Sequence, residues 1–293
     1  MLIQSFPGLN LIYYWKLSKM KKQLQPKKRL NQDGQLLMTF STDRSQTVLT
    51  DCYQVPPLKA SRALYLNPTE PREATVYLMQ SAGGLVEGDL NSYAVNLEPG
   101  TKVSLVPQAA TLVYPAHQNG WSRQKITINL KGDATLKWQP ESIIPYANSQ
   151  FKGLTQIQLA RESTLLWGEI ISPGRYQRQE IFAYKNFQAQ FQVWMEDQCL
   201  VYDHLYFAPQ EMKLKQIGVL EEHLHIGSLW LISDSVKSLN ITELRNQLIE
   251  SSGLTVGVSI LDQKVLTLRF LGSEMVPLKR EMDKIWTYLN SRL

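Results

Sequence analysis

From residue 74 to about 207, apolar and polar positions alternate with the period of two required of a strand buried on one face. In KITINLK, Ile126, Ile128 and Leu130 share one face, and Lys125, Thr127, Asn129 and Lys131 the other. ATVYLMQ, SYAVNLE and FQAQFQVWM alternate in the same way, and strand-like patterning starts at GQLLMTF. Turn residues punctuate the series, as at Glu98-Pro99-Gly100 and Lys131-Gly132-Asp133.

Three segments superpose: YAVNLEPGTKVSL, ITINLKGDATLKW and TQIQLARESTLLW. Each is a strand closing on a leucine, a polar turn, and a second strand. The leucines are Leu97, Leu130 and Leu159, and the second strands end eight residues later at Leu105, Trp138 and Trp167. Spacings of 33 and 29 residues are those of wound or stacked architectures. The repeat predicts a mainly β protein, a solenoid-like wound stack of antiparallel β-hairpins in which each buries a face its neighbour exposes. In that stack Gln108 and Glu141 stand three residues past their anchors and Glu169 two, so they fall side by side along one polar edge.

After Trp230 the pattern changes. Asn240 is placed to cap a helix over about 240–252, with Glu243 as its capping-box partner, a Leu239–Leu244 staple and Gly253 as its stop. Two strands follow, LTVGVSIL and VLTLRFLG. A second helix over about 277–291 opens on Pro277 and aligns Leu278, Met282, Ile285 and Leu289 on one face.

Composition adds little to this picture until charge is located. Hydrophobic residues at 43% and charged residues at 19% are ordinary for a globular chain. The net charge is +5, but residues 1–32 carry seven bases and no acid, which leaves −2 for the remainder. Such a body offers no basic groove for nucleic acid. Residues 1–32 read as a basic, disordered extension and 33–293 as one β-rich domain; the opening stretch MLIQSFPGLNLIYYW lacks a signal-peptide pattern and is too short and too interrupted by Pro7 and Gly8 to span a bilayer. Cys52 and Cys199 form no CxxC motif, consistent with a reducing cytoplasm.

The chemistry-bearing residues leave several alternatives open. GGLVEGD reads as a turn in which Gly83, Gly84 and Gly88 supply backbone freedom and Asp89 bonds neighbouring amides; no lysine and Ser or Thr follow as a phosphate loop needs. Glu141, Glu169 and Glu180 are candidates for an acid/base pair of a glycan hydrolase on a β-solenoid. His223 and His225 share a face if their segment is a strand, which suits transient contact with nickel.

Five motifs in order carry a family resemblance. GGLVEGD, PQAATLVY, KWQPESIIPY, LLWGEIISPGRYQRQEIF and LVYDHLYFAP resemble the signature segments of the UreD (UreH) urease accessory family, and LRFLG with the closing helix also fits. The chain departs from the family pattern at Glu87, Leu112 and His204, and retains Gln108, Thr111, Glu141, Glu180 and Asp203. The resemblance implies a cytoplasmic, non-catalytic scaffold that works with a UreF-like protein and a UreG-like GTPase to load nickel into apo-urease. It implies no tightly bound cofactor, only nickel in transit. Asp89, Gln108, Thr111, Glu141, Glu169, Glu180 and Asp203 are then candidates to bind a partner or line the nickel path. The competing classes are the hydrolase and a generic β-rich interaction module.

Overall fold

A computed structural model describes residues 33–248 and 253–293; the expectation for residues 1–32 lies outside the described residues. The strands are β1 (Gly34–Asp43), β2 (Gln46–Val55), β3 (Leu58–Ala60), β4 (Ala74–Gln80), β5 (Leu90–Leu97), β6 (Lys102–Pro107), β7 (Thr111–Val113), β8 (Ser122–Leu130) and β9 (Thr135–Trp138). They continue with β10 (Ser142–Pro145), β11 (Gln150–Leu159), β12 (Thr164–Ile171), β13 (Asn186–Met195), β14 (Gln198–Phe207), β15 (His225–Ile232), β16 (Leu254–Leu261) and β17 (Val265–Gly272). The helices are α1 (Ile241–Gln247) and α2 (Met275–Asn290).

Two sheets face one another. The first has the order β14-β13-β11-β8-β5-β1-β2; the second runs β16-β17-β15-β12-β9-β6-β4-β3, with β10 pairing β12 and β7. The repeat found in the sequence is the unit of the stack. Leu97 is in register with Leu130, and Leu130 with Leu159; Leu105 is in register with Trp138, and Trp138 with Trp167.

The mainly β, solenoid-like class holds, with one difference in how the unit is made. The two strands of each unit do not pair as an antiparallel hairpin. β5, β8 and β11 lie in the first sheet and β6, β9 and β12 in the second, and each pairs in parallel with its counterpart in the next coil. The reason lies in burial. Val95 and Leu97 on β5 and Val103 and Leu105 on β6 join one core between the sheets, which the strands reach by facing each other rather than lying side by side. Alternation with a period of two reports a buried face, not which strand supplies the backbone partner. The turns between sheets also stack: Gly100, with φ of +77°, donates its N–H to Asp133 Oδ1 at 2.6 Å one coil on.

The second sheet is covered on its outer side. Leu229 and Leu231 of β15 and Leu266, Leu268 and Phe270 of β17 pack with Leu278, Met282, Ile285 and Leu289 of α2, while Trp230, Ile232 and Val265 turn inward. α2 therefore presents the face its sequence predicts. α1 is shorter than expected. Asn240 caps it by accepting from the N–H groups of Thr242 and Glu243, but the helix ends at Gln247, Leu248 is extended, and Gly253 does not act as its stop. Only Leu244 of α1 is buried, too little apolar contact to carry the helix further. Residues 249–252 of the expected helix lie outside the described residues.

Candidate functional site

A cavity of about 290 Å³ opens between the sheets, where the ends of β9 and β12 face β11, β13 and β14. One side is an aromatic ladder: Trp138 stacks on Trp167 with centroids 4.6 Å apart, Trp167 packs on Phe191 at 5.4 Å, and Phe191 stacks on Trp230 at 4.3 Å. These rings are buried in the inter-sheet core and hold the local backbone rigid. Gly168 leaves room for Pro140, since a Cβ there would stand 2.7 Å from its Cγ.

Three carboxylates reach this cavity from different elements. Glu141 precedes β10; its Oε1 accepts from the Ser142 N–H at 2.8 Å, and its Oε2 lies 3.8 Å from Lys279 Nζ of α2. Asp203 on β14 is paired at 2.8 Å with Arg269 of β17. Glu169 on β12 has no cation within 4.0 Å among the described residues. Burial, and then the negative charge of Asp203, push its carboxyl up to about 7, with Arg269 pulling the other way. The indole N–H of Trp167 stands near that carboxyl without closing a hydrogen bond of normal geometry.

The other sequence candidates divide. Thr111 and Gly83 line the same cavity, and Gln108 is exposed between lining residues Pro107 and Ala109, its N–H bonded to the Leu78 carbonyl. Glu141 and Glu169 thus share a cavity, with Gln108 at its rim. GGLVEGD forms the expected turn: Asp89 Oδ2 accepts from the Val86 N–H at 3.0 Å, Gly88 has a φ of +91°, and Gly84 lies so close to β7 that a Cβ would stand 2.6 Å from the Leu112 carbonyl. Glu87, the departure from the family signature, accepts from the N–H groups of His117, Gln118 and Gly120 and fastens the turn to that loop.

Glu180 lies apart from the cavity. It pairs with Arg175 and accepts from the Ala147 N–H at 3.2 Å, and the guanidinium holds its carboxyl below the usual range. That placement separates Glu180 from Glu141 and Glu169 as an acid/base partner.

The two histidines do not lie on one strand. His223 precedes β15 rather than lying in it; its Nδ1–H donates to the Leu220 carbonyl at 3.1 Å, and Nε2 stands 3.4 Å from Thr255 Oγ1. His225 is buried with both ring nitrogens unpartnered, and burial pushes it down to about 4. Among the described residues no group of three or more His, Cys, Asp or Glu side chains is arranged to hold a metal ion.

Sequence reasoning missed Arg269 and Lys279, the cations that face Asp203 and Glu141. Arg269 had a signal. In VLTLRFLG it is two strand positions from Thr267 and four from Val265, which places a charge on the inward face of a strand apolar on its other side.

No helix among the described residues is long and apolar enough to cross a membrane. Residues 32–293 match the family described as UreD urease accessory protein. The chain is similar to proteins named urease accessory protein UreD: that of Sporosarcina pasteurii is 44% identical over 85% of this chain and 97% of its own length. Those of Lysinibacillus sphaericus and Halalkalibacterium halodurans are 39% and 30% identical, over 90% and 87% of this chain and 98% and 92% of theirs. With its ordered motifs, its repeat and nearly its whole described length matched, the chain belongs to the UreD family of urease accessory proteins.

Proposed function

We propose that the chain is a non-catalytic maturation scaffold that acts in the cytoplasm with a UreF-like protein, a UreG-like GTPase and apo-urease to promote insertion of nickel, the inter-sheet cavity being part of the nickel's path. The observation that carries this reading is the convergence of Glu141, Glu169 and Asp203 on one cavity in a member of a urease accessory family. Carboxylate oxygens bind divalent ions through hard, exchangeable contacts, and a path needs contacts that release as well as attract. Two of the three carboxylates face protein cations, which weakens their hold on a passing ion. Nickel is cargo here and no tightly bound cofactor is required.

The test is Glu169→Gln in cells producing urease with its accessory proteins at limiting nickel. Urease specific activity and nickel per urease should both fall severalfold, with the accessory complex still assembled. Full activity and full nickel content would overturn the path.

A second reading is favoured by one observation: Glu141 and Glu169 share a cavity, and the carboxyl of Glu169 is raised, as in a glycosidase acid. Turnover of a glycan by the purified protein, abolished by Glu169→Gln, would establish it.

A further inference from the structure

Arg269 is held from three directions. Its Nη2 donates to Asp203 Oδ2 at 2.8 Å, its Nη1 donates to Ser228 Oγ at 2.7 Å, and its guanidinium lies 5.7 Å from the ring centre of Trp230. Asp203 belongs to the first sheet and Arg269, Ser228 and Trp230 to the second, so the ion pair spans the space between the sheets beside the cavity. A planar guanidinium with fixed donors suits this three-way contact where a lysine would not.

The charges facing the cavity can be assigned residue by residue. Glu141 looks toward Lys279, Asp203 is neutralised by Arg269, and Glu169 is left as a carboxylate without an ion partner among the described residues. Glu169 and Asp203 line the same cavity, and Arg269 reaches it through its pair with Asp203. Beside them the Trp167 indole N–H, on a residue only 2% exposed, has no hydrogen-bond partner among the described residues and borders the cavity, where it can donate to the water of a hydrated ion.

We propose that Arg269 is a built-in counter-cation that sets how tightly the cavity holds a divalent ion: by occupying Asp203 it leaves Glu169 to meet the ion alone, so the ion enters and leaves. The inference rests on the reading of the cavity as a nickel path. Affinity for a hard divalent ion climbs with the number of anionic ligands. Freeing Asp203 would set two carboxylates on one ion and turn a passage into a trap. Freeing Arg269 from Asp203 would turn it toward Glu169 and close the passage. The two substitutions therefore have opposite signs on nickel affinity.

The experiment uses the purified full-length chain titrated with nickel(II) by equilibrium dialysis, with folding followed by circular dichroism and urease activation measured in parallel. Arg269→Gln should bind nickel about tenfold more tightly or better and activate urease less, because a second carboxylate joins the site. Asp203→Asn should bind nickel more weakly than the unaltered chain and also activate less. The double variant Asp203→Asn with Arg269→Gln should lose the gain in affinity. If one single variant fails to fold, the sign of the other decides. Nickel affinity unchanged in a folded Arg269→Gln chain, or raised in Asp203→Asn, overturns the inference. If either result accompanies a loss of activation in Glu169→Gln, the path stands and only the role of Arg269 falls. If Glu169→Gln and Arg269→Gln both activate fully, the path itself is wrong.

Discussion

Lys137 Nζ lies 2.6 Å from Glu73 Oε2, with the two side chains 8% and 5% exposed. Glu73 also accepts from Asn67 Nδ2 at 3.2 Å, so the pair fixes the approach to β4 against β9. Removing one member of a buried pair strands the other charge, which typically costs about 3–5 kcal/mol. Glu73→Ala and Lys137→Ala should each show that loss in urea denaturation. The double replacement Glu73→Leu with Lys137→Met should cost far less than the two combined; additive losses would mean the charges do not act as a pair.

Glu169 should make stability fall as pH rises. Its folded carboxyl titrates at about 7, above its unfolded value, so its favourable contribution is complete below the unfolded value and is lost as pH climbs through 7. Between pH 5 and pH 8 the thermal midpoint of the unaltered chain should drop more than that of Glu169→Gln, by an extra ~3 °C or more. Parallel pH profiles would show that the carboxyl is better solvated than its surroundings indicate.

Glu87 should matter locally. Its carboxylate gathers three amides of the loop at 117–120, and these hydrogen bonds hold its own carboxyl below the usual range. In Glu87→Ala the amides of Gln118 and Gly120 should exchange with deuterium about tenfold faster or more, with strand amides unaffected. Unchanged exchange at those two positions would mean that the loop is held by other contacts.

Two glycines of the second sheet should respond with opposite signs to the same substitution. A Cβ on Gly168 would meet Pro140 Cγ at 2.7 Å and Leu229 Cδ2 at 2.9 Å, and overpacking of that kind costs about 1–3 kcal/mol. A Cβ on Gly257 of the edge strand β16 would meet nothing within 4 Å. Gly168→Ala should lower the thermal midpoint, and Gly257→Ala should hold or raise it through the smaller entropy of the unfolded chain. Equal effects would contradict the packing around Pro140.

What the sequence disclosed depended on the range of the physics involved. Ile126, Ile128 and Leu130 declare a buried strand face through local alternation, and Leu97, Leu130 and Leu159 declare a repeat because in-register coils demand like residues at like positions. Whether neighbouring strands pair or face each other leaves no mark on alternation, so the arches read as hairpins. Asp203 and Arg269 are 66 residues apart, and their ion pair exists only because β14 and β17 end up on opposing sheets. His223 and His225 show the converse. Their spacing promised a shared face, but β15 begins at His225 and the alternation never reaches His223.

The parallel, in-register coils also make the scaffold a ruler. Each coil touches its neighbours at one inter-strand step, about 4.8 Å. A corridor lined by successive coils can lengthen or shorten only in whole steps, because a part-coil would flip inward side chains outward. Relatives that gain or lose residues within the turns should keep the same corridor length. Relatives that gain a complete coil of some 30 residues should lengthen it by one rung, with Trp138 and Trp167 as the fixed graduations against which that change is measured.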